Sequence, residues 1–414
     1  MELEKARELT LQLAHGAGVE WVGLDGALGR VLAEDIRAVR SLPSRPRSRF
    51  DGYALCSEDT VAARASFPIQ LDLLPGILTA ADSHDKSVAG GQCIRILTGA
   101  CPPRGTDAVV PEEEVLGAGN CLEIRRTVPA GRGILPAGSD ILQGELLLLK
   151  GSFLTPSRLA MLVAMGIARL PVFRRPVVAV LATGDEIIEL GQPAEGSTIF
   201  CNSRYLLGWL ATLNGAEVIH LGVSRDDPHT IASFLEEVKA DILITTGGTG
   251  QGERDCVSKA WKLLGVEALF RELNVSPGKN ASMGSRGASV FWGLPGNPWA
   301  AQFIFQELIA PMLWKRLGIQ SPSHFELPGR TSHIIRKRKG FHKGIRGTLF
   351  LRESAVVFKP AVEGLPSMFE LVRDHFAYTL LGPDVVEVPA GGSVRVRVHD
   401  LPCLALQWAD TVDR

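Results

Sequence analysis

The sequence predicts a multidomain α/β protein: a three-layer α/β/α domain, preceded by a β-rich lobe inserted into a helical segment and followed by a C-terminal β-barrel. Three observations carry this. Residues from about 176 to 317 alternate apolar strands with helices, as a parallel sheet covered on both faces requires. Residues 43–143 are rich in Gly, Pro and short β-like runs. Beyond Pro328 the hydrophobic pattern changes to period two, as in Ala355-Val-Val-Phe358 and Ser393-Val-Arg-Val-Arg-Val398.

Taken in order, residues 1–42 are helical and then strand-like, and 144–174 resume with a helix over Thr155–Met165. The lobe at 43–143, with β-like runs Gln92–Thr98 and Cys121–Val128, therefore reads as an insertion between two pieces of one segment. In the α/β domain at 175–324 the expected strands are Val177–Leu181, Glu217–Leu221, Asp241–Thr245 and Ser289–Trp292. Between them, one helix spans Phe200–Leu213 and stops before Gly215, and another starts at Asp226 or Asp227 with Pro228 in its first turn. A helix over Asn297–Leu317 closes the domain at Gly318, and residues 325–414 form the barrel. No internal repeat interrupts this order.

Bulk composition narrows the function. The 414 residues carry a net charge of -1, with 45% hydrophobic and 21% charged content, which argues against a nucleic-acid footprint over the whole molecule. The seven cysteines (Cys56, Cys93, Cys101, Cys121, Cys201, Cys256, Cys403) never form a C-x-x-C pair, so a structural zinc site is not expected. The start Met-Glu-Leu-Glu-Lys-Ala-Arg resembles an amphipathic helix rather than a signal peptide, and no apolar run has membrane-spanning length. A cytoplasmic protein with reduced thiols is the expectation. His15, His220, His229 and His342 show no metal-ligand spacing.

Chemistry is expected in the loops beyond the carboxyl ends of the parallel strands. The segment Asp241-Ile-Leu-Ile-Thr-Thr-Gly-Gly-Thr-Gly-Gln-Gly-Glu-Arg-Asp255 runs a strand into a glycine turn and then a helix, a geometry that cradles anions through backbone amides and the helix dipole. It lacks the ending of a nucleotide P-loop and the spacing of a dinucleotide fingerprint, so on spacing alone it reads equally as a plain turn. The other strand ends are Thr183-Gly184-Asp185-Glu186, Arg225-Asp226-Asp227 and Gly293-Leu-Pro-Gly-Asn-Pro298. Carboxylates around an anion cradle repel the ligand unless a cation bridges them, and Mg²⁺ suits that role. The alternative is that Asp226 or Asp227 caps a helix and Glu186 is solvated. Lys279, on the turn Ser276-Pro-Gly-Lys279, either reaches an anion on the glycine loop or is a surface lysine.

In series these motifs become specific. Ala27-Leu-Gly-Arg-Val-Leu-Ala-Glu-Asp35, Asp51-Gly-Tyr-Ala54, Thr98-Gly-Ala100, Thr183-Gly-Asp-Glu186, Arg225-Asp-Asp-Pro-His229, the glycine loop ending at Asp255, Pro277-Gly-Lys279 and Leu294-Pro-Gly-Asn-Pro298 occur in the order seen in the MoeA family of molybdopterin molybdenumtransferases, which includes the gephyrin E-domain. The resemblance covers nearly the whole chain. It implies an elongated homodimer whose α/β domain binds molybdopterin, and a reaction in which adenylylated molybdopterin is hydrolysed with release of AMP while molybdate enters the dithiolene, dependent on Mg²⁺. It further implies a cleft between the α/β domain of one subunit and the β-lobe of the other, and other cofactor-synthesis proteins as partners. Carried over by motif, the catalytic residues are Asp51, Thr98, Asp140, Glu186 and Asp255. Substrate would be bound by Thr183, Gly184, Asp227, Gly247, Gly248, Lys279, Pro295 and Asn297, and Mg²⁺ by Glu186, Asp227 and Asp255.

The chain departs from the family pattern in places. Gly138-Ser139 stands where Gly-Glu usually precedes Asp140, and Ser276 where a second lysine often precedes Pro277. Arg45-Pro-Arg-Ser-Arg-Phe50 replaces Phe-Asp-Asn-Ser-Ala-Met, and Ser367-Met-Phe-Glu370 lies where consecutive serines are expected. The Arg45, Arg47, Arg49 cluster reads either as an anion-gripping group or as a solvated basic loop. These departures keep open a cofactor carrier or scaffold and a tungstate-specific paralogue, and the Thr245-Thr-Gly-Gly-Thr-Gly250 form of the loop, which also resembles that of the related MogA-type adenylyltransferases, keeps open adenylyl transfer.

Overall fold

The computed structural model describes residues 1–82, 86–118, 120–249, 255–319, 322–352, 355–361 and 377–398. The glycine-loop residues 250–254 and the Ser367–Glu370 departure lie outside these. The chain divides into two compact units, Glu34–Leu170 and a larger one made of Met1–Ala33 with Pro171–Arg414.

The larger unit is centred on a six-stranded sheet. Its strands are β1 (Val177–Thr183), β2 (Glu217–Ser224), β3 (Ile242–Thr246), β4 (Glu267–Phe270), β5 (Ser282–Arg286) and β6 (Ser289–Leu294), in the order β2-β1-β3-β6-β5-β4. β2, β1, β3 and β6 are parallel, with Val178 opposite both Val218 and Ile242, and Ile242 opposite Val290. β1 and β3 are uninterrupted apolar runs because both faces are covered. Val178, Val180, Ile242 and Ile244 pack on the side of helix α1 (Asn202–Leu213), through Leu207 and Leu210. Ala179, Leu181 and Leu243 pack on the side of α2 (Pro228–Glu236) and α3 (Cys256–Leu263), through Ile231, Leu235, Val257 and Trp261.

Two elements differ from the sequence expectation. β4 and β5 form an antiparallel edge, with β5 returning into β6 around Gly287 at φ +59°; residues such as Gly284 and Ser285 hide the alternation that would mark a strand. The closing helix is broken into α4 (Pro298–Ile304), a π-turn at Phe305–Ile309 and α5 (Ala310–Arg316). Pro311 donates no N–H and its ring crowds the carbonyl one turn back, so the hydrogen-bond register widens there.

β7 (Glu326–Thr331), β8 (His342–Arg352), β9 (Ala355–Pro360), β10 (Ala377–Leu381) and β11 (Ser393–Val398) close into a ring, β8-β9-β7-β11-β10 and back to β8. Phe358, Leu349, Val394 and Val396 fill its interior, as the period-two pattern requires. Glu307, 0% exposed in the π-turn, ties the barrel down: it accepts the Tyr378 hydroxyl and an Arg397 guanidinium N–H, both at 2.6 Å, and pairs with Arg7 of the N-terminal helix.

The smaller unit holds a six-stranded sheet ordered 108–111, 52–55, 92–96, 69–78, 121–124, 116–118, antiparallel except where Ile69–Leu78 meets Gln92–Ile96. A helix over Pro156–Met165, capped by Thr155 and ended by Gly166 in the left-handed region, belongs to the same unit.

Candidate active site at the carboxyl ends of the parallel strands

β1, β2, β3 and β6 end side by side, and the turns leaving them enclose a cleft of about 260 Å³. Its floor is the glycine turn after β3. Gly247 has φ +95°, and a Cβ there would lie 2.0 Å from the Thr183 carbonyl oxygen; Gly248 has φ +59°, and its Cβ would meet Thr183 Oγ1 at 2.7 Å and Asp226 Oδ1 at 3.2 Å. Only glycine lets this turn lie against the end of β1. The Gly247 amide, however, donates to the Leu294 carbonyl at 3.1 Å, so it does not reach an anion as the sequence suggested. Bordering the cleft instead is the Thr183 hydroxyl, buried and without a partner among the described residues. The Gly184 amide is likewise committed, to Ser224.

Glu186 comes from the turn after β1 and Asp226 from the turn after β2, both lining the cleft. The Asp226 amide donates to the Asp185 carboxylate at 3.3 Å, which ties the two acidic turns together. The Asp226 carboxyl is held above the usual carboxylate range. The first cause is the hydration it loses against the cleft wall, although its other face stays open to solvent; Asp185 and Glu186 add like-charge repulsion.

Several carried-over residues have other work. Asp227 caps α2, accepting the Thr230 amide at 2.7 Å and hydroxyl at 2.8 Å, and those bonds hold its carboxyl low. The cleft carboxylate of this pair is therefore Asp226. Asp255 caps α3 through the Ser258 amide at 2.9 Å, and Asn297 caps α4 through the Ala300 amide at 3.1 Å. The Pro295 carbonyl accepts the Thr246 hydroxyl at 3.2 Å. Lys279 lies outside the cleft lining, exposed, with Glu272 at 3.8 Å.

The cation that lines the cleft among the described residues is Arg204, which the motif reading missed. It is buried on α1, donates to Glu189 Oε2 at 2.6 Å and to Cys201 Sγ at 3.6 Å, and stacks on Tyr205. The available signal was positional: in a doubly wound sheet the helix after the first strand begins at the strand ends.

In the smaller unit, Asp51 and Thr98 are brought together. The Thr98 amide and hydroxyl donate to Asp51 Oδ1 at 2.7 and 2.8 Å and hold its carboxyl below the usual range, helped by Arg95. Asp140 is exposed on a separate turn, its amide donating to the Leu42 carbonyl at 3.0 Å.

Comparison with known proteins agrees with this architecture. Residues 1–166 match the MoeA N-terminal region (domain I and II), and residues 179–315 match a probable molybdopterin binding domain. The molybdopterin molybdenumtransferase of Bacillus subtilis is 30% identical over 384 residues, 91% of this chain and 89% of that one. That of Haemophilus influenzae is 32% identical over 332 residues, covering 78% and 80% of the two chains. Among solved structures, a molybdopterin biosynthesis MoeA protein from Pyrococcus horikoshii superposes with a TM-score of 0.86 at 28% identity, covering 97% of this chain and 99% of the other. With its glycine turn, acidic strand ends and closed barrel in the expected order, this chain belongs to the MoeA family of molybdopterin molybdenumtransferases.

Proposed function

We propose that this protein inserts molybdate into adenylylated molybdopterin and releases AMP, as an enzyme of molybdenum cofactor biosynthesis. The observation that carries the reading is the convergence of Glu186, Asp226 and the Gly247-Gly248 turn on one cleft, in a chain whose relatives are named as transferases over most of their length. Those names favour an enzyme over a carrier or scaffold.

The donor set fits Mg²⁺. No group of three His, Cys, Asp or Glu side chains among the described residues forms a ready metal cage. Mg²⁺ does not need one, because it takes one or two carboxylates and fills its shell with water and phosphate oxygens. Asp226 and Glu186 would hold it; the Asp226 carboxyl is held high first by lost hydration and then by its acidic neighbours Asp185 and Glu186, whose repulsion a bound cation would relieve. Bound there, the ion would neutralise phosphoryl and molybdate oxygens.

The chain's own residues then position the substrates. The glycine turn admits an anion close to the backbone, and the Thr183 hydroxyl supplies a hydrogen bond that no protein group among the described residues takes. Arg204 lies in the wall with its charge met by Glu189 at 2.6 Å, so it is proposed as a fixed part of the cleft lining. Asp51 with Thr98, Asp140 and Asp255 are proposed as further participants, with Lys279 as a second anion contact. We also propose a cytoplasmic homodimer. The family resemblance supports the dimer. No helix among the described residues is long and apolar enough to cross a membrane.

The test is anaerobic turnover of adenylylated molybdopterin with Mg²⁺, with and without molybdate or tungstate. Oxyanion-dependent AMP release with metal inserted is expected, and the productive oxyanion names the metal. ATP consumption with free molybdopterin would point instead to adenylyl transfer. Binding without AMP release would sink the enzyme reading.

A further inference from the structure

We infer that Cys256 is a positioning residue of this cleft: its thiol holds the turn carrying Asp226 against the glycine turn, and so sets how tightly the cleft takes a divalent cation. The cation half rests on the proposed function, whereas the clamp itself does not depend on it.

Cys256 opens α3, one residue after the cap Asp255, where a helical side chain leans back toward the residues that precede the helix. It is buried, and its Sγ donates to the Asp226 carbonyl at 3.0 Å. The carbonyl has no proton to give, so the thiol must be the donor. The next residue grips the other wall. The Val257 amide donates to the Gly248 carbonyl at 3.4 Å, and a backbone bridge joins Thr249 to Asp255. Two consecutive residues at one helix start therefore hold the acidic turn and the glycine turn together.

Both backbone groups of Asp226 are engaged, each by a different loop. Its amide donates to the Asp185 carboxylate at 3.3 Å and its carbonyl takes the Cys256 thiol, while Asp227 after it is committed to the cap of α2. The Asp226 side chain is left to the cleft. There the Thr183 hydroxyl, buried and unpartnered among the described residues, stands beside the same glycine turn. A carboxylate fixed through both of its backbone groups loses little freedom when it takes a ligand. Partners that orient a metal-binding carboxylate in this way are worth about 10–100-fold in metal affinity.

Asp226-Asp227 is the one Asp-Asp pair in the sequence, which makes the clamp directly observable. In the full chain labelled at aspartate carbonyl carbon and amide nitrogen, a single carbonyl–amide NMR peak reports the Asp226 carbonyl. Cys256→Ala should move that carbonyl upfield, as loss of its hydrogen bond requires, and should weaken Mg²⁺ binding about tenfold by calorimetry. Cys256→Ser keeps a donor and should restore both. An unmoved carbonyl in the alanine variant would overturn the clamp. A moved carbonyl with unchanged Mg²⁺ affinity would overturn the positioning role and leave a plain structural bond, as would a serine variant no better than alanine. Wild type that takes no Mg²⁺ would overturn the cation half together with the proposed metal site, while the carbonyl shift would still decide the clamp, so the two failures are separate results.

Discussion

The amide of Asp226 reaches the carboxylate of Asp185 across 3.3 Å, and the same turn sets the Asp226 carboxylate 3.2 Å from where a Cβ on Gly248 would stand. A negative group is thus held against the glycine turn proposed to receive an anion.

That arrangement predicts a pH-dependent cation effect. Asp226 binds its proton more tightly in the folded chain than in the unfolded one. Its contribution to stability therefore falls as pH rises from the unfolded carboxylate value, about 4, through its raised folded value. In chelator, melting temperature should drop across that range, millimolar Mg²⁺ should restore it, and Asp226→Asn should show neither effect. A Mg²⁺ response that persists in the variant would remove Asp226 from the metal site. The same variant should lose at least about tenfold in insertion rate.

Glycine placement predicts a graded stability series. Gly247→Ala drives a Cβ to 2.0 Å from backbone oxygen and should cost about 2–4 kcal/mol in denaturant unfolding. Gly265→Ala has a similar positive φ, +69°, but meets nothing within 4 Å, so it should cost only about 1 kcal/mol. Equal losses would mean that backbone conformation alone, not close approach, selects glycine at 247.

The Asp51–Thr98 pair should be visible by NMR titration. The Asp51 carboxyl should titrate below the ordinary range, and Thr98→Val should move it upward by removing one of its two donors. The stabilising effect of this pair is present above the unfolded carboxylate value and disappears as pH falls through the depressed folded one. An unmoved Asp51 in the variant would refute the assigned bond.

Glu307 predicts acid sensitivity of the barrel junction. Burial alone would raise its carboxyl, but Arg397, Arg7 and the other surrounding donors bring it down to about 2. Its contribution is therefore complete above the unfolded value of about 4.5 and is lost as pH falls toward 2. Glu307→Gln leaves two guanidinium groups without their buried counter-charge and should cost about 3–5 kcal/mol by chemical denaturation. A loss below about 1 kcal/mol would show that the junction relies on apolar packing.

By itself the sequence determined the periodicities and the order of motifs. Val177–Thr183 and Ile242–Thr246 are legible as buried strands because parallel strands covered on both faces need unbroken apolar runs, and Ser393–Val398 because a barrel strand has one face in and one out. The Gly247-Gly248 turn was legible because positive φ restricts the residue to glycine. The tertiary structure alone decided between chemically equal neighbours. Asp226 and Asp227 are the same residue type, yet one donor three positions on, Thr230, commits Asp227 to a helix end and leaves Asp226 at the cleft. Arg204 and Lys279 are both cations near motifs, but the side a helix or turn presents is set by packing, which buries Arg204 in the cleft wall and leaves Lys279 exposed beside Glu272. Propensity and spacing act along the chain, whereas which oxygen or guanidinium faces a cavity depends on partners far away in sequence.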